Sequence, residues 1–165
     1  MLRVKTLLKN SGIHGFGVFA DQDIDKGTII WRFDSKVDVK IKKEEAAKLF
    51  NISRKYLEHY GYESPVSDNI ILCSDNAKYM NHSDEPNTVG VYPNMAVGDD
   101  MEGFDIAARD IKKGEEITTD YKSFDKKHFT NKIECENNTE KDETIVPKKA
   151  SEKQVKDFFD KIKKK

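Results

Sequence analysis

Cysteine is scarce in this sequence. The two residues of this type, Cys73 and Cys135, are too few for a disulfide framework and too few for a zinc site of four cysteines. We therefore expect an intracellular protein whose two thiols are reduced and incidental. The chain nevertheless has 165 residues, which is enough for one domain with its own hydrophobic core.

Long apolar runs and an excess of either charge are also missing. No apolar stretch reaches the roughly 20 residues that span a membrane. Residues 1–5 carry charges within their short apolar stretch, unlike a signal peptide. The net charge of −1 argues against a general nucleic-acid-binding protein, which needs a basic surface. We therefore expect neither a membrane nor direct nucleic-acid contact.

The charges that are present lie unevenly along the chain. The 44 residues after Tyr121 contain 13 Lys against nine Asp and Glu, so the tail is basic and the preceding body slightly acidic. An acidic body suits a basic peptide ligand, although solvated surface is the simpler explanation for each charge. The residues that could attract such a peptide are Asp68, Asp99, Asp100 and Glu102.

Short runs of apolar, β-branched and aromatic residues between turn signals predict a mainly β domain over residues 1–121. Apolar residues at helical spacing predict a helical insert at about 42–61, in which Ser53 caps the second helix and Gly61 ends it. The polar segment 74–90 predicts a functional loop. The predicted strands are residues 2–6, 18–20, 28–33, 70–73, 88–92, 104–108 and 116–119.

The tail over residues 122–165 is polar and irregular until it reaches an amphipathic segment. Ser151 and Gln154 form a capping box at the start of this segment. We therefore predict a C-terminal helix at about 151–164 that docks on the body. Its apolar stripe consists of Val155, Phe158, Phe159 and Ile162.

Three short segments combine glycine, amide and tyrosine residues that can carry chemistry. Taken singly, each has an ordinary explanation: a β-turn, a loop whose amides bond their own backbone, and a strand with a buried tyrosine. A metal site at His82 and Asp84 is disfavoured, because no second histidine lies at ligand spacing. The segments are Gly15-Phe16-Gly17, then Asn81-His82-Ser83 with Pro86-Asn87, then Gly114-Glu115-Glu116 leading to Asp120-Tyr121.

Together and in this order, the three segments resemble the SET-domain family of protein lysine methyltransferases over about residues 3–121. The resemblance implies a fold of several small antiparallel sheets with knot-like C-terminal threading, an exception to the usual absence of knots. It also implies an enzyme that transfers a methyl group from S-adenosylmethionine to a lysine side chain.

The resemblance assigns roles to individual residues of this sequence. Tyr121 is expected to stand beside the transferred methyl group, as the catalytic residue and as part of the cofactor site. The other residues expected to contact S-adenosylmethionine are His14, Gly15, Phe16, Gly17, Asn81 and His82.

Two departures from the family pattern concern the pocket. Many members carry a cysteine-rich zinc segment after the tyrosine, but only Cys135 follows here, so we expect no metal. Phe124 is then the preferred contact for the adenine or the lysine channel, ahead of Phe129 and the Phe158–Phe159 helix. Thr119 stands where the family often has Phe or Tyr, which predicts room for more than one methyl group.

The expected partner is a lysine-containing protein or peptide, and histone-like and ribosomal proteins are both candidates. We expect the helical insert to line the peptide groove. An alternative is a catalytically weak SET-fold protein that acts as a peptide-binding or partner-binding module. A third is methylation of a non-protein amine, which a deep closed pocket would favour.

Overall fold

The structure is a computed structural model that describes residues 1–67, 69–92 and 102–125, together with Ser151 and Lys153. Several sequence-based predictions lie outside the described residues. They concern Asp68, Asp99, Asp100, Phe129 and Cys135. The predicted C-terminal helix, including Phe158 and Phe159, also lies outside the described residues, except for Ser151 and Lys153.

Ten short strands, two short α-helices and two 3₁₀ turns, Asn76–Tyr79 and Tyr121–Ser123, make up the regular structure of residues 1–67, 69–92 and 102–125. The strands are β1 (Thr6–Asn10), β2 (Phe16–Ala20), β3 (Ile29–Arg32), β4 (Val39–Ile41), β5 (Gly61–Glu63), β6 (Ile70–Leu72), β7 (Asn81–His82), β8 (Thr88–Val91), β9 (Phe104–Ala107) and β10 (Glu116–Thr119). The helices are α1 (Lys43–Ala46) and α2 (Asn51–Tyr60).

The strands form three small sheets, in the orders β1-β2-β10-β7, β3-β9-β8 and β4-β6-β5. All pairings are antiparallel except the parallel pair β10–β7. Val18 and Ile117 are fully buried and face each other across β2 and β10, so the first sheet contributes its apolar positions to the main core. The mainly β fold of small sheets that the sequence predicts is confirmed.

Strand β10 determines where the functional segments meet. It comes from the end of the domain, yet it pairs with β2 on one side and β7 on the other. In the parallel pair, Thr118 lies opposite Asn81 and Thr119 lies opposite His82. The glycine segment (residues 15–17), the amide loop (residues 80–87) and the tyrosine segment (residues 114–121) are thus neighbours in space although many residues separate them in sequence.

The segment at 42–61 holds α1 and α2, which pack over a small satellite core of Ala46, Leu57 and Ile70. The predicted cap at Ser53 is wrong, because α2 begins at Asn51 without a side-chain cap. Gly61 follows α2 and starts β5, and a side chain there would overlap the Leu57 carbonyl. None of the described helices is long and apolar enough to cross a bilayer.

Candidate active site

A cavity of about 880 Å³ collects residues from all three functional segments. Most of its remaining wall comes from the end of α2, from β5 and β9, and from the 3₁₀ turn that follows β10. The predicted site residues in its wall are His14, Gly15, Phe16, Asn81, His82, Tyr121 and Phe124.

Tyr121 is half-buried and held by two hydrogen bonds to the amide loop. Its hydroxyl donates to the backbone carbonyl of Met80 at 2.6 Å, and its backbone N–H donates to Nδ1 of His82 at 3.2 Å. Burial raises the pKa of Tyr121 above its ordinary value, so the phenol stays protonated at neutral pH. Because its proton is directed to Met80, the oxygen faces other groups as an acceptor.

His82 is oriented by its neighbours on both sides. Since Nδ1 accepts from the Tyr121 N–H, the neutral ring carries its proton on Nε2. Nε2 lies 3.4 Å from Asp84, and Asp84 also forms an ion pair of 2.6 Å with Lys122. Lys122 therefore holds the pKa of Asp84 below its usual value. Asp84 thus joins the loop to the turn after Tyr121.

Asn81 fixes the glycine segment to the strand that carries Tyr121. Its Nδ2 donates to the His14 carbonyl at 3.2 Å, to the Phe16 carbonyl at 3.1 Å and to Oε1 of Glu116 at 2.8 Å. An amide nitrogen has two protons, so these three acceptors share them. The Asn81 side chain is buried, and it sets the position of the backbone at residues 14–16.

Glu116 completes this arrangement, and Gly17 makes room for it. Both carboxylate oxygens of Glu116 accept from the Ser11 hydroxyl at 2.9 Å. A Cβ atom at Gly17 would overlap the Glu116 carboxylate, so the missing side chain serves packing. Gly17 is not among the residues that line the cavity. The sequence does not reveal that Glu116 connects Ser11 and Asn81, because an acidic residue at the start of a strand is ordinarily explained as solvated surface.

The backbone at Gly15 leaves open space beside the cavity. Gly15 has a φ of 47°, and no atom lies within 4 Å of the position that its Cβ would occupy. Phe16 follows, is 53% exposed although it belongs to a strand, and lines the cavity. Its ring makes an edge contact of 6.2 Å with Tyr79. An open backbone turn beside an uncovered aromatic ring can accept a flat ligand with a polar tail.

Asn87, the last residue of the amide loop, has a structural role. It is 2% exposed, donates to the Glu116 carbonyl at 2.7 Å and accepts from the Thr118 N–H at 2.8 Å. These bonds replace ladder contacts on β10 where β8 approaches it. Asn87 does not line the cavity.

Aromatic rings continue the cavity wall away from the amide loop. Tyr121 contacts Phe124 at 5.9 Å, Phe124 contacts Tyr62 at 5.0 Å, and Tyr62 contacts Trp31 at 6.5 Å between ring centres. His82 lies 5.5 Å from Tyr121 on the other end of this series. Tyr121 therefore stands between two halves of one cavity. We call them the amide-rich half, with His14, Gly15, Phe16, Asn81 and His82, and the aromatic half, with Phe124, Tyr62 and Trp31.

The sequence reasoning missed Tyr62 and Trp31, because an aromatic residue in a strand is ordinarily core. Phe33, which follows β3 in the chain, is buried in the main core. Thr119 is 5% exposed and lines the cavity. Glu102 is 2% exposed and bonded to Lys40, Ser64 and Ser67, so the prediction that it attracts a peptide from the surface is wrong.

Metal chemistry has no ready ligand set in the part of the chain that the structure describes. No group of three or more His, Cys, Asp or Glu residues there is placed to hold a metal ion. The buried thiol of Cys73 has its pKa raised by desolvation, so it is a poor metal ligand and a poor nucleophile.

Comparisons with known proteins agree with this geometry. A curated relative, the histone-lysine N-methyltransferase trr of Drosophila melanogaster, is 30% identical over 133 residues, covering 81% of this chain and 5% of that protein. The H3 lysine-36 specific histone-lysine N-methyltransferase of Candida albicans is 28% identical over 112 residues, covering 66% of this chain and 13% of that protein. The chain thus spans a small part of these relatives' length.

The fold has counterparts among solved structures. A chain of the Chaetomium thermophilum Polycomb Repressive Complex 2 bound to GSK126 superposes with a TM-score of 0.57 at 22% identity, covering 73% of this chain and 16% of that chain. A family model described as the SET domain matches residues 15–122, which include all three functional segments. On this match and on the convergence of those segments around one cavity, the chain belongs to the SET-domain family.

Proposed function

We propose that this protein transfers a methyl group from S-adenosylmethionine to the side-chain amine of a lysine in a protein substrate. The observation that carries the proposal is the position of Tyr121. It stands between the amide-rich half and the aromatic half of one cavity, with its hydroxyl fixed on Met80. Family membership supports the same reaction, and the relatives named above are described as histone-lysine N-methyltransferases.

The amide-rich half is the better fit for the cofactor. The open backbone at Gly15 and the uncovered ring of Phe16 offer a surface for a nucleoside with a polar tail. His14, Asn81 and His82 add polar atoms to the same wall. Gly17 contributes indirectly, by admitting Glu116. When bound, S-adenosylmethionine supplies an electrophilic methyl group on a sulfonium.

The aromatic half is the better fit for the lysine side chain. A free lysine has a pKa of about 10.4, so at pH 7 only about one in a few thousand is the neutral nucleophile. Walls made of Tyr62, Phe124 and Trp31 exclude water and disfavour the ammonium. We assign Phe124 to this half, because its ring contacts are with Tyr62 and Tyr121.

Tyr121 has an aligning role in this scheme. Its hydroxyl proton is directed to Met80, so its oxygen can accept weak C–H···O contacts from a polarised methyl group. The bond to Met80 also fixes the height of the ring in the cavity. Transfer then depends on in-line placement of nitrogen, methyl and sulfur, which is proximity catalysis.

A histone lysine is the first substrate to test, because the relatives are described by that activity. The experiment incubates the protein with core histones, ribosomal proteins and methyl-labelled S-adenosylmethionine. Tyr121→Phe is the test variant, and Tyr56→Phe on α2 is the matched control, since Tyr56 is exposed and outside the cavity wall.

We expect labelled lysine with the wild type and the control, and a loss of about 100-fold or more with Tyr121→Phe. Equal labelling by the wild type and by Tyr121→Phe would contradict the assignment of Tyr121 to the reacting centre. Cofactor or histone binding without labelling would favour the alternative of a binding module. Labelling of small amines but of no protein would favour the third alternative.

A further inference from the structure

Asp105 occupies the middle of a row of residues on the cavity side of the β3-β9-β8 sheet. It lies opposite Trp31 of β3 and opposite Gly90 of β8. Residues directly opposite each other in antiparallel strands point to the same face. Trp31 and Asp105 both line the cavity, in agreement with that rule.

Two glycines keep the space beside Asp105 free of their own side chains. A Cβ atom at Gly90 would lie 2.5 Å from the hydroxyl oxygen of Tyr92, and one at Gly103 would lie 2.7 Å from its ring. The ring of Tyr92 therefore lies across both glycines, with its hydroxyl on the strand position next to Asp105. Tyr92 lines the cavity together with Trp31 and Asp105.

The Asp105 carboxyl has no hydrogen bond or ion pair with any residue in the described ranges. Its neighbours Tyr62, Tyr92 and Cys73 are neutral, since burial raises the pKa of each. Glu102 is bonded to Lys40, and the N-terminal ammonium is paired with Asp38 at 2.8 Å. Burial raises the pKa of Asp105 to about 6, and this desolvation outweighs the attraction of the N-terminal ammonium, so at neutral pH Asp105 is a carboxylate without a direct partner in the described ranges.

A buried polar atom of Trp31 lies on the same wall. The indole N–H of Trp31 is buried and has no acceptor among the described residues, and Trp31 is only 5% exposed. A buried donor in a native protein is nearly always paired, so this N–H, on the same wall as a carboxyl that lines the cavity, implies a polar ligand. The negative charge, on a wall that also holds Trp31, Tyr62 and Tyr92, favours a cation.

We propose that Asp105 is the residue that binds the ammonium group of the incoming substrate lysine. This inference rests on the proposed function and adds the determinant of substrate charge. The carboxylate accepts hydrogen bonds from the ammonium, and the rings of Trp31, Tyr62 and Tyr92 surround its methylene stem. A water molecule that accepts from the Trp31 N–H and donates to Asp105 completes the polar contacts.

The proposal has a consequence for the rate as well as for affinity. An ion pair with Asp105 stabilises the ammonium and opposes its loss of a proton. Asp105 therefore improves capture of the substrate and delays formation of the neutral nucleophile. Asp105→Asn should raise KM, leave kcat at neutral pH equal or higher, and shift the rise of kcat with pH towards lower pH.

The experiment compares binding of Nα-acetyl-lysine amide and Nα-acetyl-norleucine amide, which differ only in the amine, by NMR titration. Wild type, Asp105→Asn, Asp105→Glu and the control Glu44→Gln are used, since Glu44 is exposed and outside the cavity wall. We expect the wild type and Glu44→Gln to prefer lysine by about tenfold or more at pH 7.5. The preference should weaken at pH 5, where Asp105 is protonated.

Asp105→Asn should lose the preference, and Asp105→Glu should retain part of it. A wild type that binds both probes equally, or neither, would overturn the inference, as would an unchanged preference in Asp105→Asn. Thermal unfolding checks that each variant is folded. Methyl transfer is measured separately on the same proteins, so a lysine preference without turnover would contradict the proposed function and leave the Asp105 site standing.

Discussion

The hydroxyl of Tyr121 donates a 2.6 Å hydrogen bond to the backbone carbonyl of Met80, the residue that precedes Asn81. This bond joins the end of the last functional segment to the start of the amide loop, outside the ladder between β7 and β10. Together with the bond from the backbone N–H of Tyr121 to His82, it attaches both the backbone and the phenol of this residue to one loop.

The Tyr121→Phe variant should separate stability from activity. It removes one hydrogen bond and leaves the Met80 carbonyl without this donor, so we expect a loss of about 1 kcal/mol in the free energy of unfolding. Methyl transfer should fall by about 100-fold or more, because alignment is lost. Urea unfolding and single-turnover labelling measure the two effects. Comparable small losses in both would indicate that the hydroxyl is structural only.

The Asn81→Asp variant should be strongly destabilising at neutral pH. It replaces an amide donor with a carboxylate that faces the carbonyls of His14 and Phe16 and the carboxylate of Glu116. We expect the free energy of unfolding to fall by about 2–4 kcal/mol, since the new carboxylate is an acceptor placed against three other acceptors. Asn76→Asp, at an exposed position, is the control and should change stability by less than about 0.5 kcal/mol. Equal melting temperatures for the two variants would contradict the view that Asn81 holds the glycine segment to β10 through its hydrogen bonds.

The Gly17→Ala variant tests whether that glycine serves packing. The new methyl group would overlap the Glu116 carboxylate, which must then give up its bonds to Ser11 and Asn81. We expect a loss of about 1–3 kcal/mol in denaturant unfolding. Gly12→Ala is the matched control, because nothing lies within 4 Å of its Cβ position. A Gly17→Ala protein as stable as Gly12→Ala would refute this account.

Asn81 and Asp105 differ in whether their importance can be predicted from the sequence alone. Asn81 and Tyr121 lie in short segments whose residue order carries the family pattern, so their importance can be read locally. Asp105 looks like an ordinary acid in a strand. Its significance depends on standing opposite Trp31 and Gly90, a register that is set by long-range pairing.

The strands and helices also differ in how well the sequence predicts them. Strands such as β2 and β10 have buried β-branched residues and were predictable, whereas β4, β5 and β7 have two or three residues and too little periodicity to detect. The start of α2 was misplaced at Ser53, since a serine is a common cap. In the structure the helix begins at Asn51 without a side-chain cap, so tertiary packing through Leu57 outweighs local capping preference.

The Asp105→Asn variant should be more stable than the wild type at neutral pH. The raised pKa means that between its unfolded value of 3.8 and about 6 the folded protein binds more protons, so stability from this group falls as pH rises through that window. An amide avoids the cost of a buried charge. We expect a gain of about 1–3 kcal/mol at pH 7.5 and a smaller difference at pH 4.5, measured by urea unfolding. A less stable variant at pH 7.5 would mean that the carboxylate has a partner within the fold.

If the proposed transfer is correct, Thr119 should set how many methyl groups the lysine receives. Its side chain is buried, lines the cavity and stands two residues before Tyr121, so we expect it to border the space where a methylated amine would turn for another transfer. A small side chain leaves that space open, and we expect dimethyl- and trimethyl-lysine from the wild type. Thr119→Phe should fill it and stop the reaction at monomethyl-lysine. Thr119→Val keeps the volume while removing the hydroxyl, so its products should match the wild type. Mass spectrometry after exhaustive turnover reads out all three proteins, and a wild type that yields monomethyl-lysine alone would show that something other than residue 119 limits the space.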